Sequence, residues 1–372
     1  MTTVLDPPAL TARPFASHRA DLVTALLGGW FAVGLMLDAW AHNNLPGLET
    51  FFTPWHAVFY SGFLATAGWV LWVCRDALGT GARGRSASSR AAGLSDVPVG
   101  YAATLVAIVA FALGGVGDLA WHTAFGIEQD IAILFSPTHL ILVASMFVIV
   151  TTPLRSAWAN PDVPHCPGLL RLLPAVLSVA FATTLVLLML QYANVFTFHP
   201  ELVVFGLAGG DRGSSGDFVA RLAMTNLVLI VPVLTVARRW RPPLGTATLV
   251  YASVAGLSAA VTGAHFIRLT GSVVLAGVVV DLVGRALRPG PDRPARWFAY
   301  AGLAPLITWV TYLVAAFAIA GPVPDQYRGP HPEATVELIT GAPLVQALLG
   351  VLVAALLVPV KEPVKEPDRR LG

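Results

Sequence analysis

Apolar runs of about 18–25 residues recur along the whole 372-residue chain, and each is long enough to cross a lipid bilayer as a helix. Ten can be read: 21–42, 54–75, 98–122, 137–155, 169–195, 217–237, 244–263, 269–287, 297–320 and 339–360. The composition agrees. Hydrophobic residues make up 56% of the chain and charged residues only 12%, where an ordinary globular domain carries roughly 25% charged residues. Mean hydropathy is +0.71. These values exclude disorder, a disulfide scaffold and a typical soluble enzyme. The expected fold class is all-α, a polytopic transmembrane helical bundle of about ten spans. Pro174, Pro232 and Pro305 fall inside spans, which packed membrane helices tolerate because neighbours re-satisfy the freed backbone groups.

The basic residues orient this bundle. With the N-terminus on the cytoplasmic side, 19 of the 23 Arg and Lys fall in cytoplasmic loops and tails, and only Arg212, Arg221, Arg268 and Arg328 fall opposite. That asymmetry is the positive-inside signal for both termini in the cytoplasm of a multi-pass cell-membrane protein. The expected organisation is a cytoplasmic tail over 1–20, a first region over 21–157, a second bundle over 168–360 and a charged cytoplasmic tail over 361–372. The Gly/Ser/Arg-rich stretch 76–97 reads as a flexible cytoplasmic loop. The polar N-terminus carries no signal-peptide pattern. A net charge of +2 is too small to suggest nucleic acid as a partner. Cys74 and Cys166 form no CxxC, and both fall on the reducing side, where no disulfide is expected.

Acids and histidines cluster at one level. Asp38 and His42 close the first span, and Asp118 and His122 close the third. A spacing of four puts acid and imidazole on one helix face, a turn apart. His56 opens the second span and His139 the fourth, so all six sit at outer helix ends. Ionisable groups in apolar spans are costly and usually functional. The two regions also read as an internal repeat: Asp38-Ala-Trp40-Ala-His42, Glu49 and Thr53-Pro54-Trp55-His56, then Asp118-Leu-Ala-Trp121-His122, Glu128 and Ser136-Pro137-Thr138-His139. The Pro suits the first helical turn, where its missing N–H is harmless. Thirteen residues separate His42 from His56, and sixteen separate His122 from His139.

One Asp and two His from a helical hairpin make a three-ligand site with an open position, suited to copper, zinc or iron. The Irving–Williams order favours copper(II) in an oxidising compartment. Glu49 and Glu128 could add a fourth ligand or a hydrogen bond to a ring N–H. Trp40, Trp55 and Trp121 either wall the sites or belong to the interfacial aromatic belt. Three other readings of the same residues stay open: interfacial decoration, a hydrogen-bonded polar cluster and a proton path.

These motifs resemble the C subunit of the copper membrane monooxygenases, the particulate methane and ammonia monooxygenases. Asp118-Leu-Ala-Trp121-His122 with Ser136-Pro137-Thr138-His139 is similar to that subunit's Asp-x-x-Trp-His and Thr-Pro-Ser-His. Asp38-Ala-Trp40-Ala-His42, Glu49 and Pro54-Trp55-His56 are similar to its second hairpin, Asn-x-Trp-x-His with a following Glu and Pro-x-His. The resemblance implies that Asp118, His122 and His139 bind one copper and Asp38, His42 and His56 a second metal. It covers roughly residues 30–150. The order of the hairpins is reversed, Asp38 stands where the family has Asn, and no soluble cupredoxin domain of the kind the B subunit provides is present. A metal site is therefore the firmer expectation, with monooxygenase-like oxidation next. The expected partners are the bilayer, other membrane subunits and a soluble copper or electron-transfer protein. A metal or solute transporter, haem ligation by paired His such as His42 and His139, and a structural subunit are the competing functions.

The second half carries weaker signals at the same level. The fifth span ends Gln191-Tyr192-Ala-Asn194, followed by His199-Pro200-Glu201, and the seventh ends at His265. His199 and His265 are the best candidates there to join a site. The last outer loop holds Asp325, Tyr327, Arg328, His331, Glu333 and Glu337. Asp281, one turn before Arg285, reads as an intrahelical ion pair. His18 and His165 lie on the cytoplasmic side and read as incidental.

Overall fold

The computed structural model describes residues 13–45, 52–79, 96–126, 130–208, 212–321 and 335–357. Among them there is no strand. Among the described residues, nine helical stretches are long and apolar enough to cross a membrane. The first four form two antiparallel hairpins: α1 (His18–Asn44) with α2 (Pro54–Val73), and α3 (Ala102–Phe125) with α4 (Pro137–Val150). Ser17 caps α1 by accepting from Ala20 N–H. Thr53 and Ser136 do the same for α2 and α4, accepting from His56 and His139 N–H, each with Pro in the first turn.

The fourth span is broken at Thr151 and continues as α5 (Thr152–Ala159). Pro153 follows the break and lacks the N–H that the helical ladder needs. Next come α6 (Leu169–Met189), a short α7 (Pro200–Gly206), α8 (Arg212–Arg239), α9 (Thr246–Val261), α10 (Ile267–Leu287), α11 (Pro294–Ile319) and α12 (Val336–Leu357). The seventh expected span, 244–263, is α9, which at 16 residues is shorter than the nine long spans. At 1.5 Å per residue it reaches about 24 Å. Gly245 and Gly263, both at positive φ, mark its two ends.

The fifth span also differs from expectation, since α6 stops at Met189 instead of running to 195. The chain turns through short 3-10 segments, Gln191–Ala193 and Val195–Thr197. No breaker residue marks this turn. Neighbours hold it: Thr225 Oγ1 donates to Ala193 O and accepts from Val195 N–H, and Tyr312 donates to Val195 O. Asp281 is likewise engaged otherwise than expected. Its carboxylate accepts the N–H groups of Gly245, Ala247 and Thr248 and the Thr248 hydroxyl, at 2.6–3.0 Å. It caps α9 from a neighbouring helix, where the free N–H groups and helix dipole favour an anion.

Two buried apolar clusters fill the interior. One joins the hairpins through Phe31, Phe59, Phe63, Phe111 and Met146. The other fills the second half around Trp240, Trp297, Trp309 and Tyr312. α6 belongs to both, with Ala182 and Leu185 in the first and Val176 and Val179 in the second. At the far end of the hairpins Asp21 accepts from Tyr101 and Ser156, each at 2.8 Å. Nearby, Arg155 donates to Gly100 O and to the Thr104, Thr151 and Thr152 hydroxyls. This polar knot pins α1, α3 and α5. Asp38 lies 17 residues further along α1, about 25 Å away at helical rise, so hydrogen bonds fix one end of the hairpins and the acid/imidazole groups occupy the other.

Candidate metal centre

The capped, Pro-started helices decide where the imidazoles point. In the first hairpin Asp38 Oδ2 lies 3.7 Å from His42 Nε2 and 3.3 Å from His56 Nε2. In the second, Asp118 Oδ2 lies 3.4 Å from His122 Nε2, and Asp118 Oδ1 lies 3.5 Å from His139 Nε2. The imidazole pairs match: ring centroids are 5.8 Å apart for His42 and His56 and 5.7 Å for His122 and His139. Within each trio one ligand atom per residue falls inside 4.8 Å of the others. Two donors bound about 2.0–2.1 Å from one ion at the tetrahedral angle are about 3.4 Å apart. The observed oxygen–nitrogen separations bracket that value.

Proton placement sharpens the point. His139 Nδ1 lies 2.6 Å from Ile133 O, and His122 Nδ1 lies 3.3 Å from Gly126 O. A carbonyl oxygen only accepts, so both Nδ1 atoms carry the proton. The rings are thereby held with Nε2 directed at the Asp118 carboxylate. An ion bound through Nε2 with Nδ1–H on a carbonyl is the usual arrangement of ligating histidine. Asp38 adds to this: its Oδ1 is buried without a hydrogen-bond partner, a costly state for a carboxylate unless a cation completes it. The residues present fit a metal ion at both trios.

Both trios open onto one cavity of about 520 Å³. Its walls come from α1 to α4, the 130–134 turn and the end of α6. Leu35, Phe59, Leu142 and Met146 make the deeper walls apolar; Phe31 and Phe111 pack against Phe59, and Phe63 packs against both of them, none more than 6% exposed. Tyr60 lines the cavity within electrostatic reach of both Asp38 and Asp118.

All six sequence-derived ligands are thus brought together in two trios. Glu49 and Glu128 lie outside the described residues, as do Asp325, Tyr327, Arg328, His331 and Glu333. His199 and His265 join neither trio and do not line the cavity. His199 Nδ1 is 3.4 Å from Glu201. Glu201 also accepts the Gly321 N–H, and that bond above all holds its carboxyl below the usual range. His265 Nδ1 is bound to Thr262 O at 2.6 Å. Trp40 and Trp55 pack edge-on at 5.3 Å, and Trp121 packs on Phe125 at 4.6 Å.

Sequence reading missed Tyr60, Met189 and the role of Thr138, which donates to Asp118 Oδ1 at 2.7 Å. A tyrosine one turn after His56 was the available signal for Tyr60. Gln191 and Tyr192 were visible only as a polar break at a span's end, and they line the cavity from across the bundle. No protein-family model, curated protein or solved structure matches this chain.

Proposed function

We propose that this integral membrane protein holds one metal ion at Asp38, His42 and His56 and another at Asp118, His122 and His139, that the metal is copper, and that the centre serves monooxygenase-like oxidation. The observation that carries the reading is the convergence of His122 and His139 Nε2, each ring anchored through Nδ1 to a backbone carbonyl, on the one buried Asp118 carboxylate. Mixed carboxylate and imidazole donors suit copper(II), zinc or iron, and copper stands highest in affinity. The positive-inside asymmetry of the sequence supports an oxidising, extracytoplasmic position for this end of the bundle.

In the proposed reaction Asp38 and Asp118 act as anionic ligands and the four histidines as neutral nitrogen ligands. Copper with an open coordination position supplies one-electron chemistry with dioxygen when bound. The apolar walls admit a small hydrophobic molecule from the bilayer and keep water from the deeper part of the cavity. The packed Phe cluster beneath it supports an enzyme over a permease, because it offers no polar route onward to the other side.

The test is metal analysis of purified full-length protein. Two ions per chain are expected after copper loading, and one fewer in His122→Ala and in His42→Ala. Less than one metal per chain, unchanged by copper loading, would sink the reading. Zinc or iron retained in preference to copper would overturn the choice of metal. Copper-loaded protein that consumes no dioxygen with any reductant and small hydrocarbon would overturn the oxidation.

A further inference from the structure

The second half of the bundle contributes a side chain to the cavity that the metal-ligand pattern does not account for. Gln191 lies on the turn that ends α6, and that turn is held by Thr225 and Tyr312. Its amide oxygen accepts from Asn194 Nδ2 at 3.3 Å. Asn194, fully buried, also donates to Ser258 at 3.1 Å, while its own amide oxygen accepts the Phe196 N–H. The amide plane of Gln191 is therefore tied back to α9. With its oxygen held there, the NH2 end is left for the cavity that Gln191 lines.

An account of the other polar groups shows why this donor matters. The two carboxylates and four imidazoles converge on each other within their trios. Asn43 commits its amide nitrogen to Ala39 O within its own helix. Tyr60, Tyr192 and Gln191 are the other cavity-lining side chains that carry an N–H or O–H, and of these Gln191 is the one whose far end is tied back into the second half of the bundle. A donor already held in place stabilises negative charge on a ligand without having to reorganise when the ligand binds.

We propose that Gln191 would donate a hydrogen bond to an anionic ligand held in the cavity beside the two metal trios, and that Asn194 positions it. This rests on the metal-binding reading above. It assigns the second half of the chain a direct part in the site.

Azide titration of copper-loaded, full-length protein tests it, read by the azide-to-copper(II) charge-transfer band and by the stretching frequency of bound azide. Gln191→Leu is expected to weaken azide binding about tenfold, the size of a hydrogen bond to a charged group, and to shift the azide stretch, with copper content unchanged. Gln191→Glu keeps the shape but replaces the donor with a negative acceptor, and is expected to weaken azide further. Asn194→Ala, which frees the amide to rotate, is expected to fall between wild type and Gln191→Leu. Wild-type affinity and stretch in either Gln191 variant overturn the assignment, and the Glu variant decides if the Leu variant fails to accumulate. A wild-type protein that takes up no copper instead overturns the metal reading itself.

Discussion

Thr138 Oγ1 donates a 2.7 Å hydrogen bond to Asp118 Oδ1 from the position between Pro137 and His139. The corresponding residue in the first hairpin is Trp55, which packs on Trp40 instead. Asp38 Oδ1 has no hydrogen-bond partner. The two carboxylates are therefore oriented by different means. Partners that orient a ligand typically contribute 10–100-fold in metal affinity. Thr138→Val is expected to weaken binding at the Asp118 site by about tenfold or more, leaving the Asp38 site unchanged. Competition against a chelator of known affinity separates the two sites. Equal weakening at both would show that Thr138 acts on the fold and not on Asp118.

Asp38 gives a test in which metal-free and loaded protein respond oppositely. Its buried Oδ1 lacks a partner, so without a cation the charge destabilises the fold. Asp38→Asn removes the charge at constant shape. The chelator-treated variant is expected to melt at or above the wild-type temperature. Copper should then raise its melting temperature much less than it raises the wild type's. Saturating a site at 100 times its Kd stabilises by about 2.7 kcal/mol, which a thermal scan resolves. A variant less stable than wild type in chelator would show that Asp38 is satisfied without metal.

The helices and the two Asp/His/His trios were legible because apolar length and acid-to-imidazole spacing are local properties. A run of twenty apolar residues and an Asp-x3-His carry their meaning without the rest of the chain. What could not be read was set by distant partners. The break after Met189 is fixed by Thr225 and Tyr312, 30 and 117 residues away from the chain they hold. Asp281 reads as a partner for Arg285 by spacing, yet it caps α9 because packing of α10 delivers it to three free N–H groups. Gln191 has no motif around it, and its place at the cavity follows from that held turn.

The two cysteines are expected to react very differently. Cys74 is buried at the end of α2 and Cys166 is exposed. Burial pushes the Cys74 thiol up to about 11, and only the thiolate is nucleophilic. Maleimide at pH 8 should label one thiol per folded chain, at Cys166, and a second only after denaturation in SDS. A raised value means less thiolate at any lower pH, so labelling of Cys74 that access permits should keep rising with pH until about 11. Rapid labelling of Cys74 at pH 8 in folded protein would contradict its burial. An impermeant maleimide also reports orientation: inverted vesicles, and not intact cells, should be labelled at Cys166 if the charge asymmetry sets the topology.

The geometry of the first metal trio rests on a close crossing of α1 and α2. A Cβ placed on Gly62 would lie 2.7 Å from Phe31 Cα, and one on Gly34 would lie 2.8 Å from Phe59 Cα. Backbone meets backbone at both points, so no side chain can swing aside. Gly34 sits one turn before Asp38, and Gly62 sits six residues after His56. Gly62→Val must force the helices apart, at a cost of about 1–3 kcal/mol for overpacking. The separation falls between Asp38 and His56, whose atoms are 3.3 Å apart. The variant is therefore expected to lose about one metal per chain while keeping the ion at Asp118, His122 and His139. Gly68→Ala on the same helix, where a Cβ meets nothing within 4 Å, serves as the control and should retain both ions. Loss of both ions in Gly62→Val with normal accumulation would mean that the hairpins are not independent supports.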